Sequence, residues 1–138
     1  MGTCTRESLL NLKLHHKYRK GRPEKDFEEN VFNLLRMDDH LCYHVSDLTP
    51  GYRYLDGIID APDGTKFCIE FKITDWYTFN MSQFEDSQIE YLEYFLKYWQ
   101  EAYVMVYSTK TKTYWVWAYE YLKQNRNSRW GIKLFEQC

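Results

Sequence analysis

The sequence predicts a single α/β (α+β) domain, built on a central mixed β-sheet flanked by helices. The order of elements is the first reason: a helix, three strands, a second helix and two more strands pack as one sheet whose faces the helices cover. The second is the stretch 52–74, two apolar runs joined by Pro62-Asp63-Gly64-Thr65. An Asp-Gly pair in so short a connection marks a β-hairpin. Length is the third, because 138 residues suffice for one core and are too few for two independent ones.

Residues 1–23 read as a basic N-terminal arm and 24–138 as the domain. The arm ends at the turn-like Gly21-Arg22-Pro23, and a short helix is expected through Ser8-Leu9-Leu10-Asn11-Leu12. Over 24–37, Phe27, Val31, Leu34 and Leu35 have the spacing of an amphipathic helix, opened by Pro23 and a carboxylate-rich first turn. Leu41-Cys42-Tyr43-His44-Val45 alternates like a short strand, and 52–61 and 66–73 supply the hairpin. Residues 75–83 turn polar and aromatic, a loop over the sheet in which Tyr77 and Phe79 either stack on bases or cap the core. Residues 87–100 make the strongest helix, with Leu92, Phe95, Leu96 and Trp99 on one face and Gln88 heading that stripe. Strands follow at 102–107 and 114–119 across the polar turn 109–112, and 130–135 adds a last short one.

Apolar residues at 44% and charged residues at 28% are the balance of a folded chain and argue against wholesale disorder. No apolar run is long enough for a membrane span, and the start of the chain is basic where a secretory signal would be apolar. An intracellular protein without membrane contact is expected, in the cytoplasm or nucleoid, or in a host cell if a virus encodes it. Cys4, Cys42, Cys68 and Cys138 form no C-x-x-C pair and read as free thiols in a reducing compartment. The aromatic share of 19% exceeds what a core of this size needs, leaving rings for stacking or for an interface. The net charge of -2 hides an asymmetry: residues 1–25 carry seven basic against two acidic side chains, net +5, which leaves -7 for the remainder. A basic arm on an acidic body fits nucleic-acid binding, against the plainer reading of a solvated tail.

Three carboxylates and a lysine stand in sequence that otherwise favours burial. Asp56 and Asp60 share one face of their strand, and Glu70 and Lys72 share one face of the next. The hairpin sets Asp56 or Asp60 beside Glu70, with Lys72 one pleat further on. Converging carboxylates repel one another unless a cation sits between them, and an oxygen-rich site with open water positions suits Mg²⁺ or Mn²⁺. Such an ion acidifies a water and neutralises a phosphodiester, while a nearby lysine orients the water or steadies the developing charge. The chemistry expected is phosphodiester hydrolysis. Glu-x-Lys alone also occurs as a charged ladder on an exposed sheet; Ile69, Phe71 and Ile73 at the alternate positions set this one apart. Glu28 lies beside the apolar stripe of its helix, either a surface carboxylate or one leaning toward the site. A metal pair from His15-His16 and a zinc site from Cys42, His44 and Cys68 are weaker readings than ordinary packing.

The helix with Glu28, then Leu55-Asp56-Gly57-Ile58-Ile59, Ile69-Glu70-Phe71-Lys72 and Ser87-Gln88-Ile89-Glu90-Tyr91-Leu92, resemble over 24–107 the PD-(D/E)XK nuclease superfamily. The likeness is greatest to RecU-like Holliday-junction resolvases and VRR-NUC-type nucleases. That resemblance implies a restriction-endonuclease-like fold, metal-dependent cleavage of branched or junction DNA in recombination and repair, and a homodimer that makes two matched cuts. By position it makes Asp56 and Glu70 the ligands of Mg²⁺ or Mn²⁺, Lys72 the residue that handles the attacking water, Gln88 a brace and Glu28 the helix carboxylate. Leu55 departs from the Pro often found before the aspartate. Gly21-Arg22-Pro23-Glu24 equally resembles the Gly-x-x-x-Glu entry of archaeal resolvases, which would favour Glu24 over Glu28. Asp60 competes with Asp56, whose fourteen-residue spacing to Glu70 and following Gly57 fit the family better. Lys13, Lys17, Arg19, Lys20 and Arg22 would neutralise DNA phosphates outside the site. The alternative on the same fold is a non-catalytic nucleic-acid-binding or interaction module.

Overall fold

A computed structural model describes residues 9–45, 56–76, 78–79, 84–98, 101–124 and 132–133. Helix α1 (Pro23–Met37) begins on Pro23, whose missing N–H is no loss in a first turn, and places Glu24 and Asp26 at its positive end. Then come β1 (Leu41–His44), β2 (Gly57–Asp60), β3 (Lys66–Thr74), β4 (Thr78–Phe79), α2 (Asp86–Tyr98), β5 (Glu101–Ser108), β6 (Thr113–Ala118), α3 (Tyr119–Gln124) and β7 (Ile132–Lys133). Five strands form one sheet in the order β1-β2-β3-β5-β6, antiparallel except for the parallel pair β3 and β5. A parallel pair needs a crossover, and α2 supplies it. This is the mixed sheet flanked by helices that the order of elements predicts.

Strand alternation sorts the core into two halves. Phe67, Ile69 and Phe71 of β3 and Tyr103, Met105 and Tyr107 of β5 pack with Phe27, Val31, Phe32 and Leu35 of α1. Cys68, Ala102, Val104 and Val106 face the other way, toward Leu92 of α2 and Leu122 of α3. Glu70 and Lys72 share the parity of Cys68 and therefore belong to the second face. The β2–β3 turn is the expected one: Gly64 holds a φ of 88°, and Asp63 Oδ1 accepts the Thr65 amide at 2.9 Å.

Three features depart from the sequence expectation. Residues 9–18 are no free arm: Leu9 is fully buried and Leu14 nearly so, and Tyr114 Oη donates to Leu9 O at 2.6 Å and accepts the Leu12 amide at 2.9 Å. Four leucines within six positions gain more by covering the sheet than by solvation, so the boundary at residue 23 does not mark the edge of the core. Within the expected loop 75–83, β4 pairs with β7 as a separate two-stranded sheet, and the ring of Phe79 is buried against Trp117 and Phe84. Phe79 thus caps the core, while Tyr77 lies outside the described residues, as do 46–55, Trp99 and the side chain of Phe95. The chain also turns into α3 directly after β6, where only a strand end was expected.

Candidate metal and catalytic site

The site is organised by the unequal lengths of β2 and β3. Among the described residues their pairing ends at Gly57 opposite Ile69, one position before Glu70. Next to that point Asp56 Oδ2 accepts the Phe71 amide at 2.8 Å. Gly57 is required here by close approach. A Cβ on it would collide with the Phe32 ring, so the ring of α1 packs directly on the strand at this point.

Three carboxylates meet here. Glu24 from the first turn of α1, Asp56 from the entry to β2 and Glu70 from β3 each offer one oxygen, all within 4.8 Å of one another. Glu70 is 1% exposed, and its Oε2 is buried without a hydrogen-bond partner. Burial, then the adjacent Asp56 carboxylate, push Glu70 well above the ordinary carboxylate range; Lys72 opposes the shift. Glu24 is raised by desolvation and by Asp56, again against Lys72. An orphaned buried oxygen among mutually repelling carboxylates is the donor set that a small, hard divalent cation satisfies, so the residues fit Mg²⁺ or Mn²⁺.

Lys72 stands one pleat beyond Glu70 and is 8% exposed. Its Nζ donates to Gln88 Oε1 at 3.1 Å and lies 5.0 Å from the centre of the Phe84 ring. Gln88 Oε1 also accepts the Glu85 amide at 3.1 Å, one of the N–H groups that a helix start leaves unpaired. A single side chain therefore caps α2 and holds the lysine. Gln88 was legible in the sequence; Phe84 was not, since nothing local distinguishes it from other apolar residues before α2.

The remaining sequence candidates separate cleanly. Glu28 is buried but lies outside the carboxylate group: its Oε1 is 2.7 Å from His44 Nδ1, and its Oε2 is 3.9 Å from Lys25 Nζ. Of the two helix glutamates left open by the sequence, the structure brings Glu24 to Asp56 and Glu70. Asp60 sits at the far end of β2 and pairs with Lys66 at 3.6 Å. Arg19 makes a two-pronged contact with Asp26 at 2.9 and 2.7 Å, and Arg22 reaches Asp26 and Glu29 at 3.5 and 3.6 Å, so both arginines serve acids of α1. Lys13, Lys17 and Lys20 are exposed. Cys42 and Cys68 belong to the cores on opposite faces of the sheet, which removes the zinc arrangement with His44. His15 Nδ1 accepts the Lys17 amide, whereas His16 Nδ1 lies 3.0 Å from Tyr107 Oη, so the two rings do not converge on one ion.

No protein-family model matches the chain, and no curated protein does. Among solved structures it is similar to Hjc of Archaeoglobus fulgidus, a Holliday junction resolvase from an archaeal hyperthermophile. The two superpose with a TM-score of 0.52 at 18% identity, over 68% of this chain and 74% of that one. At that identity the likeness is one of fold: the five-stranded mixed sheet and its flanking helices are the restriction-endonuclease-like architecture. Among the described residues, no helix is long and apolar enough to cross a membrane.

Proposed function

We propose that the chain is a Mg²⁺- or Mn²⁺-dependent DNA endonuclease of the PD-(D/E)XK type, with branched DNA such as a Holliday junction as its substrate. One observation carries the reading: Glu24, Asp56 and Glu70 present oxygens within 4.8 Å of one another, beside a buried lysine. The likeness to a junction resolvase supports the choice of substrate.

Glu24, Asp56 and Glu70 would hold the ion. When bound, it supplies charge neutralisation for a phosphodiester and lowers the pKa of a water. Lys72, restrained by Gln88 and Phe84, is pre-positioned to orient the attacking water or to stabilise charge growing on the phosphate oxygens. Such preorganisation costs nothing at the moment of reaction, because the ammonium is already held in place. Glu28, paired with His44, would act from behind Asp56 through the electrostatics of the site. Lys13, Lys17 and Lys20 remain available for phosphates. Two matched cuts need two sites, so the working assembly would be a homodimer, and a strictly monomeric protein in sizing experiments would remove the resolvase subtype.

The test is cleavage of junction and linear DNA with Mg²⁺ or Mn²⁺ present. Wild type should cut the branched substrate in preference, and Glu70→Ala and Asp56→Ala should each abolish cutting. Activity that persists in both variants would overturn the assignment. DNA binding without cleavage in the wild type would instead favour the binding-module alternative.

A further inference from the structure

A second concavity lies on the α1 face of the sheet, beside the start of α1 that carries Glu24. Its walls include Pro23, the residue next to Glu24 in the chain, and Ile73, whose side chain points to the α1 face of the sheet, opposite to that of Lys72. Its volume is about 510 Å³, which falls among pockets that hold small ligands. His16 and Tyr18 present rings to it, and Lys20 and Lys112 stand at its edge.

The aromatic wall is rigidly backed. Tyr107 is 2% exposed, the Tyr18 ring meets it edge-on at 4.8 Å, and the His16 ring stacks on it at 5.7 Å. His16 also holds a φ of 61°, a left-handed conformation uncommon outside glycine, and its Nδ1 is 3.0 Å from the Tyr107 hydroxyl. Its imidazole is thus held in a defined place although the residue is exposed. Asp75 is the one carboxylate among the described lining residues, and it accepts the Thr109 hydroxyl at 2.6 Å. Two lysines against one aspartate leave the pocket net positive.

Cations at an edge and rings along a wall are complementary to a phosphate joined to a sugar and base. A simple anion would use only the lysines, and an apolar ligand only the rings. We infer that this pocket receives the nucleotide next to the scissile phosphate, its phosphate between Lys20 and Lys112 and its sugar and base against His16 and Tyr18. The inference rests on the nuclease reading above and names a subsite for that reaction.

The full chain is titrated against fluorescein-labelled junction and duplex DNA, with Ca²⁺ in place of the active ion, over a series of salt concentrations. Lys20→Ala and Lys112→Ala should each weaken binding several-fold and reduce the salt slope by about one. Lys123→Ala, which removes a cation paired with Glu93 at 3.1 Å, should change neither. Mn²⁺ titration calorimetry on the same variants should match wild type, showing that the carboxylates are intact. With 5-iodouracil placed at successive positions, irradiation should join the nucleotide beside the cut to the peptide containing His16 and Tyr18. If wild type binds and cuts DNA while Lys20→Ala and Lys112→Ala behave like Lys123→Ala and the cross-links map elsewhere, the subsite is overturned and the nuclease reading stands. If wild type neither binds nor cuts, both fall together.

Discussion

Asp56 Oδ2 accepts the Phe71 amide at 2.8 Å, next to the last pair of β2 and β3 among the described residues, Gly57 with Ile69. The carboxylate thus has two tasks, one in the fold and one in the proposed site, and they can be separated. Asp56→Asn retains an oxygen for the Phe71 amide and loses the charge, whereas Asp56→Ala loses both. Urea denaturation should place the Asn variant near wild type and the Ala variant about 1 kcal/mol lower, at the low end of the cost of an unpaired amide because this one is half-buried. Both should lose Mn²⁺ binding in calorimetry. Equal stability of the two variants would show that the bond to Phe71 contributes nothing.

Metal binding should release protons. Glu70 is held well above the ordinary carboxylate range and Glu24 is raised in the same direction, so the metal-free site retains protons at pH values where free carboxylates have none. A divalent ion takes the deprotonated form, so affinity should rise with pH until both groups are ionised without its help. Titrating Mn²⁺ in buffers of different ionisation enthalpy, near neutral pH and about one unit below it, measures the release directly. Glu70→Gln should reduce the proton count and weaken binding by roughly tenfold or more, since even partners beyond the ligands are worth about 10–100-fold. A proton count of zero in the wild type would contradict the arrangement.

Which parts of this site the sequence disclosed follows from how local each signal is. Strand parity alone put Glu70 and Lys72 on one face, and the Asp-Gly turn brought Asp56 or Asp60 beside Glu70, which need only a period and a turn; the choice of Asp56 came from the resemblance to the nuclease family. Spacing put Gln88, four residues before Leu92, at the head of the apolar stripe of its helix, and the resemblance to the nuclease family made it a brace of the site. The helix glutamate was harder. A helical wheel shows that Glu28 lies near the apolar stripe, but not that His44 of a different strand takes it, nor that the first turn of α1 reaches Asp56 and Glu70. The pairing of β4 with β7 and the burial of Leu9 and Leu14 are likewise long-range, and no periodicity reports them.

Gln88 is expected to act on rate and not on metal affinity. Its Oε1 accepts from both Lys72 Nζ and the Glu85 amide, each at 3.1 Å. Gln88→Ala frees the ammonium from one restraint while the Phe84 ring remains, and also removes a bond at the start of α2 worth about 1 kcal/mol. Misplacing one catalytic group should lower kcat by roughly 10–100-fold, with Mn²⁺ affinity near wild type. Gln88→Glu keeps an acceptor for both donors and should recover most of the stability and part of the rate. A loss of metal binding in Gln88→Ala with kcat intact would mean that this residue supports the carboxylates instead of the lysine.

Glu28 gives the fold a pH dependence of its own. Burial, and after it the Asp56 carboxylate, raise its pKa from 4.5 to about 8; Lys25 pulls the other way, and Glu24 and Glu29 add to the rise. Because the folded value lies above the unfolded one, the native chain holds a proton that the unfolded chain gives up between pH 4.5 and about 8. Stability from this group is therefore fully present below that window and is lost as pH rises through it. Glu28→Gln leaves an amide oxygen able to face His44 Nδ1, now 2.7 Å from the carboxylate, and has no proton to lose. In metal-free buffer the melting temperature of wild type should fall by several degrees across the window. The Gln variant should show a shallower fall and overtake wild type at the alkaline end. Parallel curves for the two proteins would assign the pH dependence to other groups, with the Glu24, Asp56 and Glu70 cluster the first to test.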